Sequence, residues 1–172
     1  TGSIVRDLNG KYIYPSFIDL YSNYGLEKPK KESYPYRPQY ETKKIGAYHW
    51  NQAIHPEFRA SDNFKVDSKI AKSYLEIGFG TVLTHQQDGI FRGSGALVFL
   101  SKTKENESMF RNDAAAFYSF EKGVSRQRYP TSLMGSIALI KQTILDANWY
   151  KKRKNNDINL SLNAYNTQKE LP

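Results

Sequence analysis

The sequence predicts an α/β fold, and three observations carry that prediction. A punctuated helix over residues 67–77 is followed at once by Gly78 and a β-branched run at 80–84; helix, glycine and strand in that order make half of a βαβ unit. Short apolar runs at 17–20, 96–100 and 114–120 have the length of strands. A long amphipathic segment after Pro130 supplies a second helix.

A chain of 172 residues suits one domain. Leu, Ile, Val and Phe make up roughly 23% of it, just above the ~20% below which a highly charged chain stays disordered. The 13 Tyr and 2 Trp add large, partly apolar surface, so a core can form, though not a rich one. No apolar run approaches the ~18 residues of a membrane helix. The opening Thr1, Gly2, Ser3, Ile4, Val5 and Arg6 lacks the basic start and apolar block of a signal peptide. Zero cysteines exclude disulfides, thiol chemistry and sulfur-held zinc. His49, His55 and His85 are all the imidazoles from which a metal site could be built. The net charge of +8 permits attraction to polyanions. That charge is spread, however, over Lys28, Lys30, Lys31, Lys43, Lys44, Arg126, Arg128 and residues 151–154. A solvated surface is the plainer reading. A nucleic-acid-binding module would rest on net charge alone, so no nucleic-acid partner and no membrane span are expected.

Taken in order, Gly10 and Lys11 read as a turn, Tyr12 to Tyr14 as a short strand, Pro15 as a break, and 17–20 as a second strand. Phe17, Ile18 and Leu20 place apolar residues on both strand faces, which predicts burial on both sides. Residues 28–44 carry Pro29, Pro35 and Pro38 between tyrosines. A loop of that length within a compact domain is functional or disordered; Tyr34, Tyr36 and Tyr40 favour an ordered one packed on the body. In the helix over 67–77, Asp62 or Asp67 can cap the start, Val66, Ile70, Ala71, Tyr74 and Leu75 recur at helical spacing, and Gly78 follows the last turn. The hydrophilic stretch 101–112 joins two strand candidates as a turn. In the last helix, Pro130 with Thr131 or Ser132 marks the start, and Leu133, Ile137, Ile140, Ile144 and Ala147 form one apolar stripe. The basic residues 151–154 close it, where positive charge suits the helix dipole. Residues 155–172 are polar, with no obvious terminal element.

Four segments resemble the amidohydrolase superfamily, in the family's order. Gly10-Lys11-Tyr12-Ile13-Tyr14-Pro15-Ser16-Phe17-Ile18-Asp19-Leu20-Tyr21-Ser22-Asn23 is similar to the opening barrel strand, whose pattern is Gly-Lys, a short strand, then Pro-Gly-[Phe/Leu]-Ile-Asp-x-His-x-His. Gly78-Phe79-Gly80-Thr81-Val82-Leu83 resembles the Gly-[Val/Phe]-Thr-Thr-Val segment that leads into the next strand. Gln87-Asp88-Gly89-Ile90-Phe91-Arg92-Gly93-Ser94-Gly95-Ala96-Leu97-Val98 is similar to the Gly-rich stretch of imidazolonepropionase-like members. Ser132-Leu133-Met134-Gly135-Ser136-Ile137-Ala138-Leu139-Ile140, running on to Trp149 and Tyr150, resembles their Arg-Met-Gly-x-x-Ala-Leu-Leu-Arg helix. The resemblance extends to long, two-part amidohydrolase-like proteins of Bacteroidetes-type bacteria. It implies the first part of a TIM-like (β/α)8 metal-dependent-hydrolase barrel, with residues 1–14 as the end of a preceding small β-sandwich. Residues 15–172 would be the partial barrel, with 28–44 as an inserted loop.

The departure from the family matters more than the match. The family's His-x-His pair holds a divalent metal from one face of the first strand, because residues two apart project to the same side. Tyr21 and Asn23 stand at those positions, and neither phenol nor amide readily replaces imidazole as a transition-metal ligand. The family's remaining ligands lie on later strands, beyond this stretch. The resemblance therefore implies a module with a degenerate metal site, a structural or partner-supporting part of a larger hydrolase. Its partner would be the remainder of the same protein, another copy or a second chain completing the barrel. The alternative is an active metal-dependent hydrolase of cyclic amide or peptide-like C–N bonds, using zinc or another divalent metal held by ligands outside this chain. The family also implies a periplasmic or secreted location.

His85 follows a strand and so lies at a barrel rim, the usual place for chemistry. It is a candidate site residue, with Asp88 close enough in sequence to orient or neutralise it; a hydrogen-bonded rim histidine is the plainer reading. His49 and His55 flank a segment expected to pack on the barrel, and His55-Pro56-Glu57 is no known metal spacing. Gly89, Gly93 and Gly95, with Arg92 among them, lack the ending of a P-loop and the Rossmann spacing. A tight turn and close backbone approach account for them better.

Overall fold

A parallel βαβ unit opens the fold. Strand β1 (Phe17–Ser22) runs parallel to β2 (Phe79–Thr84); the connection between them contains the single turn α1 (Ala60–Asn63) and helix α2 (Ser68–Glu76). Asp67 caps α2, its carboxylate accepting from the N–H groups of Lys69 and Ile70 at 2.9 and 3.0 Å. Gly78 takes a φ of 96° after the last turn, which lets β2 begin at once. The computed structural model describes residues 2, 4–31, 33, 36–46, 48–101 and 103–153. Thr1, Ser3, Tyr34, Pro35, Lys154 and the polar segment 155–172 lie outside the described residues.

After β2 the chain doubles back. Strand β3 (Phe91–Phe99) pairs antiparallel with β2; the short α3 (Glu105–Ser108) then leads into β4 (Met109–Tyr118), antiparallel to β3, so the sheet order is β1-β2-β3-β4. A parallel crossover needs about a dozen residues or more, and the connection 85–90 is too short for one. The parallel start expected of a barrel is therefore carried by β1 and β2. The stretch 101–112, expected as a turn, holds α3 and the beginning of β4.

Two clusters of buried side chains hold these elements together. Tyr24, Phe64, Ala71, Val82, Val98 and Leu100 fill the space between the sheet and the helices α1 and α2. Ala53, Ile54, Ile90, Phe91 and Leu139 join the start of β3 to the long helix α4 (Leu133–Arg153). The segment before α1 is stitched to β3 by backbone bonds, His55 N–H to Phe91 O at 2.9 Å and Ser94 N–H to Phe58 O at 3.0 Å. Gly93 makes that approach possible: its φ is 73°, and a Cβ there would overlap the Phe58 carbonyl.

Several expectations fail. Residues Tyr12 to Tyr14 form no strand, and all three side chains are exposed. Phe17, Ile18 and Leu20 are more than half exposed rather than buried on both sides; β1 is an edge strand paired only with β2 among the described residues. Tyr36 and Tyr40 do not pack on the body. Their loop is held by main-chain groups instead, Arg128 N–H to Gln39 O at 2.8 Å and Gln127 Nε2 to Tyr40 O at 3.1 Å.

Much of the apolar stripe of α4 faces outward as well, although Ile140 is half-buried against the second cluster. Leu133, Ile137 and Ile144 are 58, 46 and 48% exposed, while Ser136, Leu139 and Thr143 are buried. Ser136, Leu139 and Thr143 each precede a stripe residue by one, a rotation of about 100°. Hydroxyls make this possible: Ser136 Oγ donates to Phe120 O and Thr143 Oγ1 to Leu139 O, both at 2.8 Å. A buried polar group so satisfied carries little penalty. The outward face leaves a groove lined by Phe120, Ile137, Ile140, Ile144 and Leu145. No helix among the described residues is long and apolar enough to cross a membrane.

This orientation separates two leucines of one helix. Leu139→Ala is expected to lose about 2–5 kcal/mol of stability, and Leu133→Ala about 0.5 kcal/mol or less. Urea unfolding of the two variants makes the comparison, and equal losses would contradict the orientation of α4.

Candidate functional site

The C-terminal ends of parallel strands are where open α/β sheets place their ligands, and here β1 and β2 end together. His85 N–H donates to Ser22 O at 2.9 Å, tying the two strand ends. The His85 side chain is fully buried. Its ring stacks on Phe117 with centroids 3.6 Å apart and meets the Tyr21 ring edge-on at 4.8 Å. Arg92, 6% exposed, closes the group: Nη1 donates to the Tyr21 hydroxyl at 2.9 Å and Nε to Gly89 O at 3.1 Å. Asn23 lies past the end of β1, exposed, in a turn closed by Leu26 N–H to Asn23 O at 3.2 Å.

His85 is not the hydrogen-bonded rim histidine that the sequence led us to expect. Among the described residues neither ring nitrogen has a hydrogen-bond partner. Burial, and then the Arg92 guanidinium, push its pKa from the ordinary 6.5 down to about 4; the Leu83 carbonyl and the Asp19 carboxylate act in the opposite sense without closing a hydrogen bond onto the ring. The ring is thus a neutral imidazole at pH 7. A general acid needs a pKa near the working pH, and this group lies well below it.

Asp88 does not orient His85. Its Oδ1 accepts from Val124 N–H at 2.7 Å, and its Oδ2 lies 3.8 Å from His55 Nε2. His55 Nδ1 in turn lies 3.5 Å from Glu57 Oε1. Gly123, with a φ of 66°, brings the backbone against Asp88; a Cβ there would overlap the carboxylate. His55, Glu57 and Asp88 line a cavity of about 280 Å³ together with Gln52 and Gln86, and Lys30 and Lys44 also border it. Gln52 Oε1 and Glu57 Oε2 are buried with no hydrogen-bond partner among the described residues. Gln52 escaped the sequence reading, which weighed His55 and Glu57 only for metal spacing. His49 is structural, as expected: it is buried and its Nδ1 accepts from Asn51 N–H at 3.0 Å. Desolvation lowers its pKa too.

The glycines do split between turn and close approach. Gly89 turns with a φ of 83°, whereas Gly93 and Gly95 lie within β3 and admit neighbouring groups, Gly95 the Phe117 ring and the Thr84 carbonyl. Arg92 points to Tyr21 and the Gly89 carbonyl. Among the described residues no group of three or more His, Asp or Glu is placed to hold a metal ion.

The depressed pKa of His85 has a signed consequence. Below about 6.5 the unfolded chain takes up a proton that the folded chain refuses until about pH 4. The stability contributed by neutral His85 is complete above 6.5 and falls by about 1.4 kcal/mol per pH unit within that window. Urea unfolding at pH 7 and pH 5 is expected to show a smaller loss for His85→Phe than for the wild type, with His49 present in both. Identical losses would contradict the burial of a neutral ring.

No family model matches this chain, and no curated protein matches it. A solved structure is similar to it: the crystal structure of an amidohydrolase from Thermotoga maritima MSB8, at 18% sequence identity and a TM-score of 0.60. The match covers 98% of this chain and 47% of that one, so the chain spans about half the length of its structural neighbour. At that identity the likeness is one of fold: a mixed α/β arrangement shared with an amidohydrolase.

Proposed function

We propose that this chain is an amidohydrolase-like module with a degenerate metal site, serving as a structural, partner-supporting part of a larger hydrolase. One observation carries the reading. Tyr21, at the position where the family pattern has its first histidine, accepts at its hydroxyl a hydrogen bond from the Arg92 guanidinium at 2.9 Å. A fixed protein cation beside that position repels a divalent ion by simple Coulomb energy. Tyr21, Asn23 and His85 do not fit a metal for chemical reasons as well. The phenol is engaged by an arginine, the amide is a weak ligand for transition metals, and the imidazole is sealed between two aromatic rings.

The supporting role draws on the open surfaces. Strand β1 has one edge unpaired among the described residues, and the outer face of α4 is apolar and exposed. Unpaired edges and contiguous apolar surface are features that a partner covers. The remainder of the same barrel is the occupant we favour, since the structural neighbour is about twice as long. A periplasmic or secreted location rests on the sequence resemblance alone.

Elemental analysis of the dialysed protein tests the metal reading. The expected result is no stoichiometric zinc, iron or manganese. A full equivalent of metal, lost on Asn23→Ala, would overturn it in favour of an active metal-dependent hydrolase of cyclic amide or peptide-like C–N bonds.

A further inference from the structure

We propose that the cavity bounded by residues 52–58 and 86–88 binds a small zwitterion, a free α-amino acid or a molecule of the same charge pattern, with its ammonium inward and its carboxylate toward Lys30 and Lys44. Gln52, Glu57 and Asp88 bring acceptor-bearing side chains to the lining of this cavity. Gln52 is 9% exposed and Asp88 6% exposed. The backbone N–H of Gln52 is taken by Gln127 Oε1, while its own Oε1 accepts nothing among the described residues; nor does Glu57 Oε2. His55 stands between Glu57 and Asp88 at 3.5 and 3.8 Å, so one imidazole faces two carboxylates and saturates neither. Buried acceptors left unmet are costly and uncommon in native proteins. An ammonium carries three donors and one positive charge, which is the chemistry these acceptors lack.

The solvent side of the same cavity has the opposite sign. Lys30 and Lys44 are exposed residues that border it, and Lys44 lies 5.4 Å over the Tyr48 ring. A cation alone would leave these two ammoniums facing it unscreened. An anion alone would leave the acceptors unmet. A dipolar molecule entering cation first satisfies both ends. The volume of about 280 Å³ falls at or below the low end for ligand pockets, which limits the ligand to amino-acid size. The walls are held in advance, Asp88 by Val124 N–H and the Gln52 main chain by Gln127. Preorganisation of this kind lowers the cost of binding.

The test is an NMR titration of the ¹⁵N-labelled protein at neutral pH with glycine and L-alanine as probes, and with methylamine and acetate as the two half-ligands. The readouts are the side-chain amides of Gln52 and Gln86 and the backbone amides of Val124 and Ser125. Saturable shifts with an amino acid are expected, with each half-ligand at least tenfold weaker. The double variant Lys30→Ala, Lys44→Ala changes exposed residues and is expected to keep the fold. It should weaken amino-acid binding at least tenfold, about 1.4 kcal/mol, and leave methylamine binding as tight or tighter. Glu57→Gln should weaken both the amino acid and methylamine. No saturable shift with either amino acid would overturn the proposal. So would acetate binding as tightly as L-alanine, the signature of a plain anion site, or a lysine double variant that binds L-alanine normally.

Discussion

A guanidinium turned inward at the end of the parallel strand pair sets the character of this molecule. A buried charge is tolerable only where oriented dipoles replace the water it has lost. Arg92 finds them in the Gly89 carbonyl and the Tyr21 hydroxyl. Those two bonds fasten the turn before β3 to the edge strand β1. The same charge helps keep His85 neutral, and the neutral ring can then lie flat on Phe117 of β4. One side chain thus connects β1, β3, the end of β2 and, through His85, β4.

The architecture around it is tight on one side and open on the other. Helices α1 and α2 cover the sheet face that carries Val82 and Val98. Segment 54–59 is laced to β3 closely enough that Gly93 cannot carry a side chain without displacing Phe58. The edge of β1 and the outer face of α4 are by contrast exposed and apolar. An amphipathic helix normally turns its apolar stripe to the core. Here Leu133, Ile137 and Ile144 face away, Ile140 is only half-buried, and a face containing Ser136, Leu139 and Thr143 is buried. Apolar surface left open in this way is what the proposed partner region would cover.

Much of the fold was legible because its signals are local. The Asp67 cap, the spacing in α2 and the glycine after it predicted the helix and the strand that follows. The strand candidates after Gly89 and the helix after Pro130 were also present in the pattern of apolar residues. What could not be read depends on contacts between distant residues. Tyr21 and Arg92 are 71 positions apart, and no local rule joins them. Asp88 was visible as a candidate, but its neighbour His55 arrives only because β3 binds the 54–59 segment. The orientation of α4 was misread because periodicity identifies an apolar face without saying whether the described core or another surface covers it. The exposed faces of β1 were misread likewise: apolar residues on both faces do not distinguish a central strand from an edge strand.

The central claim is that the strand mouth holds a fixed protein cation beside a neutral, sealed imidazole. Following the His85 ring resonances by NMR from pH 3 to pH 8 tests this most directly, in the wild type and in Arg92→Met. The expected wild-type midpoint is about 4. In Arg92→Met the midpoint should rise but stay below the ordinary value, because burial is the larger cause and persists. A wild-type His85 that titrates near 6.5, unmoved by the loss of Arg92, would contradict the account.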